Sequence, residues 1–542
     1  MKPLLTSDLK VKFLGITPLL KDRGGVLNPQ EIAAFSALLT FKGKSIKNLF
    51  RDAFKKGENL KERISKILQR SSLIGHASVA TTPSLCLNYE GSKFLDSALT
   101  GIYFSSSLVS SGRRTGTTEK DIVYPTKIFQ NKKAKKIYQE VSEKIINFFN
   151  FLLSQGIQKD EASKILQYGI YGTGVIQLPI ETIVGLKREY SSEKDWMPEE
   201  INLLLKKIER ETKKIGVDLL YTTRAVAPRN VYPYPNIFKN PQESNLVREL
   251  RKTEKLNNGS KIISLDGFLP QELREKLKNL ERKRKKAFVS LKKIKKEWPI
   301  LLSLLQEVLR DYNLALKIKV LSSIPWRVWG EKKRHRTCPQ IIESIYFCIE
   351  RASERFKKFK KQIKESEEGK PFSSLFAIAR GIEEVFSIPP SIKKNQKLLS
   401  EYLLVALEAF EGYQDLIKLK IKPRDAIFLI PRAVKIDILQ EYDLYNLLTG
   451  YYPLRVCQTA EEEMRRNSLR EVAQIKNVLA KKGLGFLNKF IVPKCQIVGF
   501  CLEDKSCPMI FNSVKNYNEK FHQEMKKELK KKFEKNLKNL GR

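Results

Sequence analysis

The chain has 542 residues, of which 42% are hydrophobic and 30% charged, and its 101 Lys+Arg against 60 Asp+Glu give a formal net charge of +41. That apolar share is enough to build buried cores and excludes a disordered chain, while no run of about 18 apolar residues is present to span a membrane. Seven cysteines, an odd number in a chain this long, make no disulfide framework, and no apolar stretch follows Met1-Lys2-Pro3-Leu4-Leu5, so neither secretion nor a membrane anchor is expected and a reducing, cytoplasmic setting is. At about 150 residues per domain the length suits two or three domains. A surface this cationic draws polyanions, which makes nucleic acid a partner class to weigh beside small anionic ligands.

Residues 26–74 alternate helical patterning with basic turns and lead into Gly75-His76-Ala77-Ser78, which sets His76 at the start of an element. Ser84–Tyr89 is apolar, bounded by Pro83 and Glu90-Gly91, and reads as a strand. Ser111-Gly112-Arg113 follows it. Lys136–Gln155 carries Ile137, Val141, Ile145 and Phe149 four apart, an amphipathic helix that Gly156 stops before a second helix over Lys159–Tyr168. Pro228, Pro233 and Pro235 close this region, and 240–300 reads as an insert, with a turn at Asn257-Asn258-Gly259 and a charged helix over Pro270–Trp298.

Leu316–Val320 alternates apolar and basic residues as a half-buried strand does, and Pro325-Trp326 ends it. The triplet Arg334-His335-Arg336 comes next, a dense row of donors suited to phosphate and electron-rich heterocycles. Ser344 follows it after seven residues, with Tyr346 two positions on. Farther along stand Leu429-Ile430-Pro431-Arg432 and Leu454-Arg455, the latter four residues before Ala460-Glu461-Glu462-Glu463-Met464-Arg465. Cys495, Cys501 and Cys507 recur every six residues, a spacing unlike the close ligand pairs of structural zinc, so no metal is expected. Beyond Pro508 the chain becomes a lysine-rich helix with Phe521, Met525, Leu529 and Phe533 on one face, suited to docking on the body or on a partner.

Arg334-His335-Arg336, seven residues and Ser344 resemble the signature of the flavin-dependent thymidylate synthases: Arg-His-Arg, seven residues, Ser, one residue, Arg. Tyr346 stands where the last arginine belongs. The resemblance implies that Arg334, His335 and Arg336 hold FAD, with Arg336 also helping to activate the pyrimidine. It implies that Ser344 keeps half of a phosphate grip and that Arg455 hydrogen-bonds the uracil edge. An earlier stretch resembles the same family. Gly75-His76-Ala77-Ser78 looks like its flavin-contact turn, giving His76 and Ser78 to the cofactor, and Ser111-Gly112-Arg113 looks like the Ser-x-Arg half of the signature, giving Ser111 and Arg113 to the substrate. Gly101-Ile102-Tyr103 occupies the place of the triplet.

The losses are complementary, and in that family active sites are shared between subunits of a tetramer. The expected architecture is therefore α+β and helix-rich, two tandem copies of a thymidylate synthase complementing protein-like domain, with windows 75–113 and 315–346 equivalent. The expected ranges are 1–240 and 301–512 for the copies, 241–300 for a charged helical insert and 513–542 for the terminal helix. His76 and Ser78 are expected beside Arg334-His335-Arg336 in one composite FAD pocket, in a homo-oligomer whose dimer equals a family tetramer. Arg113, Ser344 or Arg432 would meet the nucleotide phosphate. The implied activity is reductive methylation of dUMP with methylene-tetrahydrofolate and NADPH. The alternatives are a non-catalytic relative that binds nucleic acid, and a flavoenzyme acting on uridine within a polynucleotide.

Overall fold

The computed structural model describes residues 3–17, 20–22, 25–56, 59–73, 82–102, 104–110, 116–217, 236–365 and 372–539. They form an α+β, helix-rich chain that divides into two compact units. The first is made of Met1–Asn245, Pro325–Arg336 and Ile342–Ile436, the second of Leu246–Ile324, Thr337–Ile341 and Asp437–Arg542. The units thus do not follow the expected boundaries at 240 and 301. The cause is visible in the first unit, where the helix Gln396–Lys418 packs along the helix Lys132–Ser154. Gly412 lets the backbones close, since a Cβ there would lie 3.1 Å from Val141 Cγ2, Phe148 meets Tyr402 at 6.3 Å, and Lys144 pairs with Glu408 at 2.5 Å.

In the first unit the main sheet is built from β1 (Lys10–Thr17), β2 (Ser84–Ser92), β3 (Ser106–Val109) and β4 (Tyr171–Pro179), in the antiparallel order β1-β2-β4-β3. The strand expected over Ser84–Tyr89 runs three residues farther. Its alternation works as the sequence implies: Leu85, Leu87 and Tyr89 are buried, while Ser84, Cys86 and Asn88 lie on the half-exposed face. The helix expected over Lys159–Tyr168 stops at Ala162. The following backbone is committed elsewhere, Gln167 bridging to Pro431 and the Gly169 N–H donating to the Phe428 carbonyl at 3.1 Å.

In the second unit, β5 (Ser260–Gly267), β6 (Leu316–Pro325), β7 (Gln340–Ile342) and β8 (Lys435–Asp443) form a sheet in the order β5-β6-β8-β7. Counted along the chain, each sheet reads first, second, fourth, third. Residues 241–300, expected as an insert outside the domain, supply β5 and much of the core. Charge hid this: the helix Gln271–Ala287 is crowded with lysine and arginine, yet Leu273, Leu277 and Leu280 make one fully buried stripe. They pack with Leu301 and Leu305 of the helix Leu291–Tyr312, with Leu316, Ile318 and Val320 of β6, and with Tyr442, Tyr451 and Tyr452. The single helix expected over Pro270–Trp298 is two, because Ser290 caps a new start by accepting from the Lys293 N–H. The lysine-rich helix Glu519–Asn539 docks on its own unit, Phe521 and Met525 being buried with Phe500, Ile510 and Tyr517.

Gly101, in the stretch expected to occupy the place of the triplet, has φ +86°, and a Cβ there would lie 2.8 Å from Lys333 Cγ and 2.9 Å from its carbonyl oxygen. A side chain at 101 is excluded both by backbone conformation and by Lys333. Gly101→Ala should lower stability in urea unfolding by about 2–3 kcal/mol. Gly43→Ala, at φ +61° with nothing within 4 Å, should cost only about 1 kcal/mol; equal losses would show that Lys333 yields.

Candidate functional site: a cationic pocket in the first unit

Two short helices build the pocket, Lys93–Leu99 directly after β2 and Trp326–Lys332 directly after β6. Ser92 caps the first, its hydroxyl accepting from the Phe94 N–H at 3.2 Å. An aromatic core fixes one against the other: Phe94 stacks on Phe428 at 4.1 Å and meets Trp326 edge-on at 5.6 Å, and Tyr168 lies 4.3 Å from Trp326. The Trp326 indole N–H donates to Ser97 Oγ at 3.1 Å, and the Lys333 ammonium donates to the Ser97 carbonyl. Ser97 Oγ, having accepted from the indole, keeps its own proton to donate.

Beside these helices lies a cavity of about 110 Å³. Lys93, Arg327, Arg334 and Arg432 line it, against Asp96 and Glu331, and Ser97, Thr100 and Ser110 add hydroxyls. Four cations against two carboxylates leave two positive charges, and the volume suits a phosphoryl group rather than a whole nucleotide or flavin. Lys93 pairs with Asp96 at 2.9 Å and also donates to Ser110, while the Tyr89 hydroxyl donates to the other Asp96 oxygen. Burial pulls the Lys93 ammonium down and pushes the Asp96 carboxyl up, each opposed by the partner's charge. Arg432, almost wholly buried, donates from Nε and Nη2 to the Gln167 carbonyl at 3.2 and 2.9 Å and sits 4.7 Å over the Tyr168 ring. Burial pushes its guanidinium down to about 10, so it stays charged at neutral pH. Arg327 pairs with Glu331 one helical turn on, at 3.1 Å.

Of the expected site residues, Arg334 is exposed and lines the cavity, while His335 and Arg336 are half-buried on the turn that follows. Arg336 Nε is buried and has no hydrogen-bond partner among the described residues, and burial holds its guanidinium below its ordinary value. Ser344 is fully buried; its hydroxyl donates to the Lys239 carbonyl at 2.6 Å, and its N–H to Glu343 at 2.7 Å. Tyr346 is core, its ring 5.0 Å from Trp196 and its hydroxyl on the Trp196 carbonyl. Arg455 is half-buried at the end of the short helix Tyr452–Arg455, in the second unit. His76, Ser78, Ser111 and Arg113 lie outside the described residues. Lys93, Asp96, Arg327 and Glu331 escaped the sequence reading. Their signals, Lys-x-x-Asp and Arg-x-x-x-Glu just after a strand, are ordinary helix spacings in a chain so rich in charge.

Residues 316–479 match the family model for thymidylate synthase complementing protein. The "Flavin-dependent thymidylate synthase" of Pyrococcus abyssi is 30% identical over 133 residues, 23% of this chain and 51% of that protein. That of Pyrococcus furiosus is 32% identical over the same share of each. Residues 316–479 are thus the part of the chain that is similar to this family. The chain spans about half the length of the curated relatives it matches. Two solved structures of the UMP/dUMP methylase PolB from Streptomyces cacaoi, bound with 5-Br dUMP and with 5-Br UMP, align with 42% of this chain and 100% of theirs. Their identities of 12% and 14% and TM-scores of 0.33 and 0.30 are too low to carry weight.

Next to the pocket, Glu200 is buried and accepts from the Ser92 N–H at 2.8 Å and from the Ser92 hydroxyl. Burial first, with the Asp96 charge adding to it, pushes its carboxyl up to about 7. Between the ordinary carboxylate range and about 7 the folded chain holds a proton that the unfolded chain does not, so this contribution to stability falls as pH rises through that window. Glu200→Gln should therefore gain on the parent by on the order of 2–3 kcal/mol as pH is raised from about 5 to about 8. Urea midpoints of both proteins across that range measure it, and a constant difference would mean that Glu200 is ionised throughout.

Proposed function

We propose that the chain is a flavin-dependent thymidylate synthase-like methyltransferase that methylates a pyrimidine nucleotide of the dUMP type, and that the cationic pocket takes the nucleotide's phosphate. The observation that carries this reading is the convergence of Lys93, Arg327, Arg334 and Arg432 with three hydroxyls on a cavity of about 110 Å³. The family match of residues 316–479 supports the reaction class. Arg432 supplies the cation that Tyr346 does not, and Lys93, held by Asp96, supplies a second. Ser344 spends its hydroxyl on Lys239, so the grip expected of it passes to Ser97 and Ser110.

Arg334, His335 and Arg336 would hold the flavin, as the resemblance implies. The buried Nε of Arg336, without a partner among the described residues, fits an anionic or carbonyl acceptor there, and the fixed charge of guanidinium suits a diphosphate. When bound, the flavin supplies the redox chemistry that converts a transferred methylene to a methyl group, with NADPH and methylene-tetrahydrofolate as co-substrates. The chain's own part is to bind and orient. The pocket cations fix the phosphate.

The reading is tested by dTMP formation from dUMP with methylene-tetrahydrofolate, NADPH and FAD; a protein that neither turns over nor binds dUMP would overturn it. Arg327→Gln should raise KM for dUMP about 10-fold or more with kcat little changed, the signature of lost uniform binding. The preference for dUMP over deoxyuridine should shrink by the same factor. An unchanged preference would remove the phosphate from this pocket.

A further inference from the structure

The second unit carries a feature that the proposed reaction does not use. Two adjoining cavities, of about 700 and 420 Å³, share Glu281, Lys285 and Lys489 and make one groove along the helix Gln271–Ala287. Glu281 is the sole carboxylate among the described residues lining it, and Arg284 at 2.5 Å and Lys285 at 3.9 Å already engage it. Arg282, Lys286, Lys489 and Lys515 are exposed on the groove and have no carboxylate partner among the described residues. On the helix, Lys278, Arg282 and Lys286 follow at four-residue intervals, roughly 6 Å apart, along one edge, with Lys278 paired to Glu275 at 2.8 Å and the other two without a carboxylate among the described residues. Phe288 and Phe486 line the groove half-buried, packed on the core by one side and with Arg274 5.6 Å over the Phe486 ring, which leaves part of each ring on the groove between the charges.

We propose that this groove binds single-stranded nucleic acid, its phosphates tracking the lysines and arginines and its bases lying on the phenylalanine surfaces. A repeated cation row beside partly exposed rings is the combination that sequence-tolerant single-strand binding uses. An acidic peptide would use the charge and leave the rings without a purpose. The groove stands independently of the pocket in the first unit.

The test is fluorescence anisotropy of the full chain with a labelled oligouridylate of about 20 nucleotides, titrated at several salt concentrations. The combined variant Arg282→Gln, Lys286→Gln, Lys489→Gln and Lys515→Gln should bind at least about 10-fold more weakly, with a log–log salt slope shallower by about 3. A variant of equal charge change in the first unit, Lys357→Gln, Lys358→Gln, Lys394→Gln and Lys397→Gln, should keep the parent's affinity within about twofold. Amine acylation of the parent protein gives a second readout that needs no variant: the oligonucleotide should protect Lys286, Lys489 and Lys515. The proposal fails if the parent does not bind, if both variants weaken equally, if those lysines stay unprotected, or if a polyglutamate peptide displaces the strand as well as unlabelled oligouridylate does.

Discussion

The first unit depends on the burial of Trp326. Its ring lies against Phe94 and Tyr168, its indole N–H is spent on Ser97, and its own N–H donates to the Val434 carbonyl at 2.8 Å. Tyr168, Trp326 and Phe428, distant in sequence, all meet at the ring of Phe94. Because an indole cannot be buried well without a partner for its N–H, Ser97 is fixed, and with it the helix that carries Lys93 and Asp96. The charged wall of the pocket is thus set by an apolar contact. That is a sound foundation, since the cations repel one another and would not gather of their own accord.

Burial gives these charges their character. Lys93 and Asp96 are costly to bury singly, and together they offset much of that cost while leaving the lysine pinned at the cavity wall. Arg432 is handled without an anion: a carbonyl takes two of its donors and a tyrosine ring lies beneath it. A guanidinium held by neutral groups keeps its net charge available to a ligand, whereas one tied to a carboxylate does not.

Local pattern was legible where it repeats. The alternation of Leu85, Leu87 and Tyr89 marks a strand, the four-residue spacing of Ile137, Val141, Ile145 and Phe149 marks a helix, and the triplet with Ser344 marks the family whose model matches residues 316–479. What failed was context. Leu273, Leu277 and Leu280 form a full core stripe, but the surrounding lysines made 241–300 look like a linker. Tyr346 and Ser344 sit in the signature yet are consumed by packing and by a carbonyl. The partition into units was out of reach altogether, because the pairing of Gln396–Lys418 with Lys132–Ser154 joins positions more than two hundred residues apart, and one sequence holds no record of which helix meets which.

Gly101 and Lys333 also bear on how this chain can change. The glycine leaves room that the lysine fills, and the lysine in turn closes the space any new side chain at 101 would need. Any side chain placed at 101 must displace Lys333, whose ammonium holds the Ser97 carbonyl. A substitution at 101 would therefore reach the wall of the pocket through Lys333 and Ser97, although Gly101 does not itself line it.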